Sequence, residues 1–429
     1  MAEVAFSGRG RRFALLALSL LAAAVALPAC GGDDDGGPTE LSFFIFNEPS
    51  GIIPTIADKC SKESNGEYTI SFEYLPSDAD QQREQLVRRL GAEDSSIDII
   101  GMDVIWTGEF ANAGWVEEWT GEDEKAVTEG VFPSVAETAR FESKLWGAPI
   151  WSNTQLLWYR TDRVKTPPKT WDEMLKQADE IGDEGLIQVQ ANRYEGLVVW
   201  FNSMVESAGT SIVQPDDAAE IALEPAATER ALGLMEELAQ SEAADPSQST
   251  SDEDTARLSF EEGASSFMLN YPFVYPSAKE NAPEVFKNMG QALYPRVDAD
   301  KPPAPPLGGI NLGVSSYSEN KEEAFDAIKC MREPANQIEI ATAGGLPPVT
   351  ESLYDDKEID KVYPGFADLI RQSIDLAAPR PVTPAYQDLS LAIQRTLHPL
   401  DDLPLDDVAG TVDELRDNVQ TALDREGLL

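Results

Sequence analysis

The sequence predicts an α/β protein folded as two lobes, and two observations carry that prediction. Between residues 40 and 101, short apolar runs alternate with amphipathic segments in the order strand, helix, strand, helix, strand. That spacing belongs to a parallel sheet covered by helices. The chain has 429 residues, and the ~390 that follow its N-terminal segment exceed one ordinary domain.

Residues 1–29 read as a secretory signal. Arg9, Arg11 and Arg12 give a basic start, residues 13–27 an uncharged and mostly apolar core, and Ala29 a small residue at the cut. The apolar core, about 15 residues, is shorter than the roughly 20 needed to span a bilayer. Cys30 follows Leu27-Pro28-Ala29. A cysteine placed there resembles a bacterial lipobox, in which the thiol is lipidated and becomes the first mature residue. A plain signal peptide with an incidental cysteine is the alternative, and Arg11-Arg12-Phe13 leaves twin-arginine export open. Residues 30–39, rich in Gly and Asp, cannot build a core and read as a flexible tether to a membrane surface.

The folded part begins with a buried strand over 41–46. A helix is expected over 51–64, where Ile52, Ile53, Ile56 and Cys60 fall on one face. A second strand over 68–75, a helix over 80–90 and a third strand over 97–101 complete the first parallel unit. Ligands of such sheets sit beyond the carboxyl ends of the strands. Asn47 and Glu48 follow the first strand, and Asp103 follows the third. Residues 156–159 form another strand. Thr170 and Glu173 make a capping box for the next helix. Helices are expected near 194–208 and 226–240, a short helix then a strand over 260–269, and an extended Pro-rich crossover over 297–306. Residues 311–315 read as a strand and 320–332 as an amphipathic helix with Cys330 beside its apolar face. Residues 344–348 are a break, and the C-terminal part is largely helical. There is no internal repeat and no second apolar segment long enough to cross a membrane.

With 33 basic and 76 acidic residues the net charge is −43. Such a chain is not drawn to nucleic acid or to anionic lipid. The acidic excess reads as solvated faces, since no cluster has calcium-loop spacing, and neither a metal nor a cofactor is expected. Cys60 and Cys330 remain beside Cys30, and an even pair in an oxidising compartment suggests a disulfide, with two separate buried thiols as the alternative. So long a loop would contribute roughly 4–5 kcal/mol on the chain-entropy account. His398 is the only histidine, which excludes a multi-histidine metal site and leaves a Ser-His-Asp hydrolase without a nucleophile elbow.

Seven ordered motifs carry a family resemblance. They are Met102-Asp103-Val104-Ile105-Trp106 before Gly114-Trp115; Gly147-Ala148-Pro149 before Asn153-Thr154-Gln155-Leu156-Leu157-Trp158-Tyr159-Arg160; Thr170-Trp171-Asp172-Glu173; Arg193-Tyr194-Glu195-Gly196-Leu197; Phe267-Met268-Leu269-Asn270-Tyr271-Pro272-Phe273; Leu307-Gly308-Gly309-Ile310-Asn311-Leu312; and Arg380-Pro381-Val382-Thr383-Pro384-Ala385-Tyr386. Together they resemble the solute-binding lipoproteins of carbohydrate ABC importers (extracellular solute-binding protein family 1), nearest the trehalose/maltose-binding branch. The resemblance implies a periplasmic-binding-protein-like fold of two α/β lobes, with a hinge and a ligand cleft between them. One lobe would hold residues 40–151 and 308–344, the other 152–307 and 345–429. Cys60 and Cys330 would then lie on two helices of one lobe, bracing it without locking the hinge.

The implied protein is a monomeric, non-enzymatic receptor held outside the cell membrane by the lipid on Cys30. It would capture a disaccharide such as trehalose or maltose and pass it to the permease subunits. By motif position, Asn47, Glu48, Gln82, Asp103 and Asn153 would hydrogen-bond the sugar, with Glu253 and Arg380 reaching in from the other lobe. Hydrogen bonds to charged groups contribute roughly 1.5–3 kcal/mol each, so a few set specificity. Trp151, Tyr271 and Phe273 would stack or form walls, and Gly309 would let backbone approach the sugar. Plainer readings stand beside these. Asp103 and Arg380 could form a structural ion pair, Tyr271 and Phe273 could be core, Glu195 could cap its own helix, and only one of Gln81 and Gln82 can face the cleft. Trp106, Trp115 and Trp119 read as core. Ile310 and Tyr271 stand where related binders often carry Trp, while Asn153 points toward the trehalose-recycling lipoproteins. The rival readings are an extracellular glycoside hydrolase using Glu48 and Asp103, and the same fold binding a polyol or a glycerophosphodiester.

Overall fold

The computed structural model describes residues 37–76, 79–214 and 217–424. Cys30, the signal segment and most of the tether lie outside the described residues.

Six strands build the first sheet: β1 (Thr39–Phe46), β2 (Tyr68–Leu75), β3 (Ile99–Asp103), β4 (Ala148–Thr154), β9 (Pro306–Val314) and β10 (Ala378–Pro379). Their order is β10-β9-β3-β1-β2, with β4 also paired to β9. The second sheet contains β5 (Leu156–Arg160), β6 (Leu186–Gln188), β7 (Ser265–Asn270) and β8 (Met289–Ala292), in the order β8-β5-β7-β6. A single residue, Gln155, separates β4 in one sheet from β5 in the other.

Side chains alternate across each strand, and the first sheet is apolar on both faces. Phe43 and Ile45 of β1 pack into one core cluster, while Phe44 between them packs into another. Likewise Ile99 of β3 joins the first cluster and Ile100 and Met102 the second. Helix α1 (Ile52–Glu63) buries Ile52, Ile53, Ile56, Ala57 and Cys60, the face expected from the spacing. Gly51 precedes it at φ 68°, a left-handed conformation that glycine adopts without strain. Helix α2 (Ala79–Leu90) buries Gln82, Leu86 and Leu90, whereas Gln81 is exposed. Trp106, Trp115 and Trp119 are core residues.

Four details depart from the sequence expectations. The tether was expected to run to residue 39, but Thr39 already pairs with Tyr68 in the sheet. The first sheet is not wholly parallel: β9 runs antiparallel to β3 and to β4. It enters after the Pro-rich crossover from the second sheet, so no covering helix fixes its direction. This strand also starts at Pro306 rather than at residue 311, because β4 pairs with residues 307–312 through the two glycines. The capping box at Thr170 is shifted by one donor. Thr170 Oγ1 accepts from Glu173 N at 3.1 Å, but Glu173 reaches back to the N–H of Lys169 at 2.7 Å.

Cys60 and Cys330 form a disulfide with Cα atoms 5.9 Å apart across 270 residues of sequence. It joins α1 to the helix Lys321–Met331, and both helices pack into the cluster under β1, β3 and β9. Loop closure of this length limits the unfolded chain by up to about 5 kcal/mol. Reduction, or the Cys60→Ser/Cys330→Ser pair, is expected to lower the calorimetric melting temperature by several degrees, and an unchanged melting temperature would deny the brace.

Glu236 lies on the helix Pro225–Ala239 with no exposed surface, and neither carboxylate oxygen has a hydrogen-bond partner. Burial pushes its carboxyl up to about 7. The folded state therefore favours the protonated form, and stability is lost as pH rises from the ordinary carboxylate range through about 7. Relative to Glu236→Gln, the wild type is expected to lose on the order of 2–3 kcal/mol across that window. Urea unfolding at a series of pH values checks it; parallel stability curves would show that Glu236 does not titrate there.

Candidate functional site

Asp103 is the last residue of β3, and its carboxylate accepts from Ile105 N at 3.2 Å to start the turn Val104–Trp106. Arg380 comes directly after β10, which pairs with the first residues of β9. The sequence places these two side chains 277 residues apart, yet Arg380 Nη2 donates to Asp103 Oδ1 at 3.3 Å. Its Nη1 donates to Glu195 Oε1 at 2.6 Å. Side-chain exposure falls from 25% at Asp103 through 13% at Glu195 to 6% at Arg380. Burial opposes the charge on Arg380, but Tyr386, Asp103 and Glu195 outweigh it and hold its pKa well above the usual arginine value.

Glu195 opens the helix Glu195–Ala208 without capping it. Its carboxylate also accepts from Tyr386 Oη and, at 2.6 Å, from Ser390 Oγ. Both donors sit on the helix Tyr386–Leu397. Tyr271 directly follows β7. Burial raises its phenol pKa, Glu253 and Asp103 raise it further, and Arg380 opposes them. Gln155, the residue between the two sheets, lowers that pKa and donates from Nε2 to Gln190 Oε1 at 2.9 Å. Glu253 Oε2 accepts from Tyr194 Oη at 2.9 Å, and its backbone carbonyl accepts from Asn270 Nδ2 at 2.9 Å. Asn270 Oδ1 in turn accepts from Tyr271 N at 2.8 Å. Burial pushes the Glu253 carboxyl upward.

Four of the expected residues thus form one electrostatic group: Asp103, Glu253, Tyr271 and Arg380. The ion pair of Asp103 and Arg380, read from sequence as the structural alternative, is present. The other expected residues occupy different settings. Asn47 is exposed at the end of β1. The Glu48 carboxylate folds back onto its own turn, accepting from Ser50 N at 3.0 Å and from Ser50 Oγ. Gln82 is buried on α2. Trp151 lies in the core with its ring 6.3 Å from that of Phe46, edge on. Half-buried Asn153 pairs with Gly308 across β4 and β9. Phe273, also half-buried, packs against the cluster of Trp158, Phe260 and Phe366.

Gly309 has φ 137°, and a Cβ there would meet Trp151 O at 2.4 Å and Ser152 Cα at 3.0 Å. The approach of β4 alone therefore requires glycine at this position. Sequence reasoning left Glu195 aside as a helix cap and missed Tyr386, Ser390, Tyr194 and Gln155. The one available signal was a carboxylate opening an otherwise nearly uncharged helix.

Among the described residues, no helix is long and apolar enough to cross a membrane. The chain is 28% identical over 331 residues to a Deinococcus radiodurans protein named "Probable ABC transporter-binding protein", covering 73% of this chain and 76% of that one. Its fold is similar to that of maltose-bound T. maritima MalE3, with a TM-score of 0.78 at 23% identity, covering 88% of this chain and 99% of the other. It is also similar to the sugar-binding protein MalE of Xanthomonas citri, with a TM-score of 0.77 at 19% identity over 90% and 98% of the two chains. A ribitol complex of an ABC transporter solute-binding protein from Agrobacterium radiobacter K84 gives a TM-score of 0.73 at 16% identity, over 91% and 98%. These structures share their two-lobe α/β fold with this chain. The sequence profile that matches residues 55–364 agrees with that architecture, and the chain belongs to the bacterial extracellular solute-binding protein family.

Proposed function

We propose that this chain is the extracytoplasmic sugar-binding subunit of an ABC importer, tethered to the outer face of the cell membrane by a lipid on Cys30. One lobe is built on the first sheet, chiefly residues 40–151 and 308–344, and the other on the second, chiefly residues 152–307 and 345–429; β4 and β9 run a few residues past these bounds, and β10 belongs to the first sheet. A neutral disaccharide such as trehalose or maltose binds between them, and closure presents the loaded protein to the permease. The observation that supports this reading is the group at Asp103, Arg380, Tyr271 and Glu253. It combines a charge-paired guanidinium, carboxylates and a phenol from both sheets, the donors and acceptors that a hydroxyl rim requires. The same group argues for binding rather than hydrolysis. A glycosidase needs two carboxylates free to act across the scissile bond, whereas Glu48 is tied to Ser50 and Asp103 to Arg380.

Calorimetric titration with trehalose, maltose, maltotriose and ribitol tests the proposal. Tight uptake of an α-glucoside without release of glucose is the expected result. Ribitol alone would move the reading to a polyol, glucose release would make the protein a hydrolase, and flat titrations throughout would sink the sugar reading. In the same assay Asp103→Ala is expected to weaken the best sugar at least about tenfold while the protein stays folded; unchanged affinity would remove Asp103 from the site.

A further inference from the structure

We propose that Glu195 is a positioning residue, holding the Arg380 guanidinium so that Arg380 and Asp103 face the solute as one unit. The inference rests on the reading that the solute binds at Asp103 and Arg380. Glu195 does not cap its own helix: Tyr194 is the N-cap residue, and no side-chain cap hydrogen bond forms there. Yet residues 196–205 behind it are all buried, so its backbone is held firmly. Three donors converge on its carboxylate: Arg380 Nη1, Tyr386 Oη and Ser390 Oγ. Tyr386 and Ser390 lie four residues apart on one helix and so share a face. The guanidinium itself follows a strand of only two residues, Ala378–Pro379, and the carboxylates at its two Nη atoms fix its direction.

The two ends of the bridge differ. The bond to Glu195 is 2.6 Å, in the range of a strong charge-assisted contact, while the bond to Asp103 is 3.3 Å. Asp103 also keeps about twice the side-chain exposure of Glu195, 25% against 13%. A solute engages the longer and more open end, and Glu195 keeps hold of Arg380 throughout. Glu195 therefore acts through Arg380, without touching the solute.

The test pairs a ligand-free measurement with a binding cycle. In full-length protein labelled with nitrogen-15 arginine, the Arg380 signals are identified by their loss in Arg380→Lys. Restricted guanidinium rotation in the wild type and averaged rotation in Glu195→Gln is the expected result. Restricted rotation that survives in Glu195→Gln overturns the proposal. With trehalose as probe, Glu195→Gln is expected to weaken binding about tenfold and the milder Tyr386→Phe about threefold. In an Arg380→Lys background Glu195→Gln should add less than about twofold. An undiminished effect in that background gives Glu195 a purely structural role and also overturns the proposal. Thermal melts of each variant exclude unfolding as the cause. A wild type that binds no sugar defeats the reading of function instead, and the arginine signals then decide the role of Glu195 alone.

Discussion

A guanidinium with 6% of its side-chain surface exposed must be neutralised where it lies, and Arg380 is neutralised from two directions. Asp103 comes from the carboxyl end of β3, inside the first sheet, and Glu195 from the start of the helix Glu195–Ala208. Breaking a buried pair by removing one partner typically costs about 3–5 kcal/mol, because the remaining charge is left uncompensated. That penalty constrains everything around it. The end of β3, the start of the helix at Glu195 and the face of the helix at Tyr386 must keep their mutual positions. The Nε of Arg380 is buried without a hydrogen-bond partner, so the pair is not saturated even with both carboxylates in place.

The chain crosses between its two sheets close to this pair. Thr154 ends β4 and Leu156 starts β5, so one buried residue, Gln155, makes the first crossing. The return passes along the Pro-rich segment into β9, whose first residues pair with β10 just before Arg380. The segment after Arg380 touches the first-sheet side again. Gln387 Nε2 donates to Asp80 Oδ1 at 3.0 Å, and a Cβ on Gly108 would lie 3.1 Å from the Thr383 backbone. The first crossing is thus a single residue, whereas the return runs from Ala292 to Pro306 and is rich in proline.

The regular elements were legible because their burial follows a simple period. Helix α1 shows it best: Ile52, Ile53, Ile56 and Cys60 were readable as one face and are buried together. The start of β9 was not legible. Pro305, Pro306, Gly308 and Gly309 look like a break, and only pairing with β4, about 150 residues earlier in sequence, makes a strand of them. The disulfide was open to simple reasoning, since two cysteines remained once Cys30 was set apart. The site was legible only in part. Asp103 stood out at a strand's carboxyl end, but nothing local ties it to Arg380. Glu195 was hidden because a carboxylate in a first helical turn is commonplace, and its three donors come from residues 380–390.

The balance of charge in the group bears on the kind of solute it can hold. Asp103, Glu195 and Glu253 stand against the single guanidinium of Arg380. A phosphate or carboxylate arriving there would gain one cation that is already doubly paired, and would meet further negative charge from a chain of net charge −43. A glycerophosphodiester is therefore a poor match. A neutral polyhydroxy compound meets no such opposition. Its hydroxyls can donate to Asp103 and accept from the guanidinium, so the ion pair is extended rather than broken. Burial raises the Glu253 carboxyl pKa, and its carboxylate accepts from Tyr194 Oη. The proposed site is thus polar and carries more carboxylate than guanidinium, a combination that favours hydroxyl groups over anions.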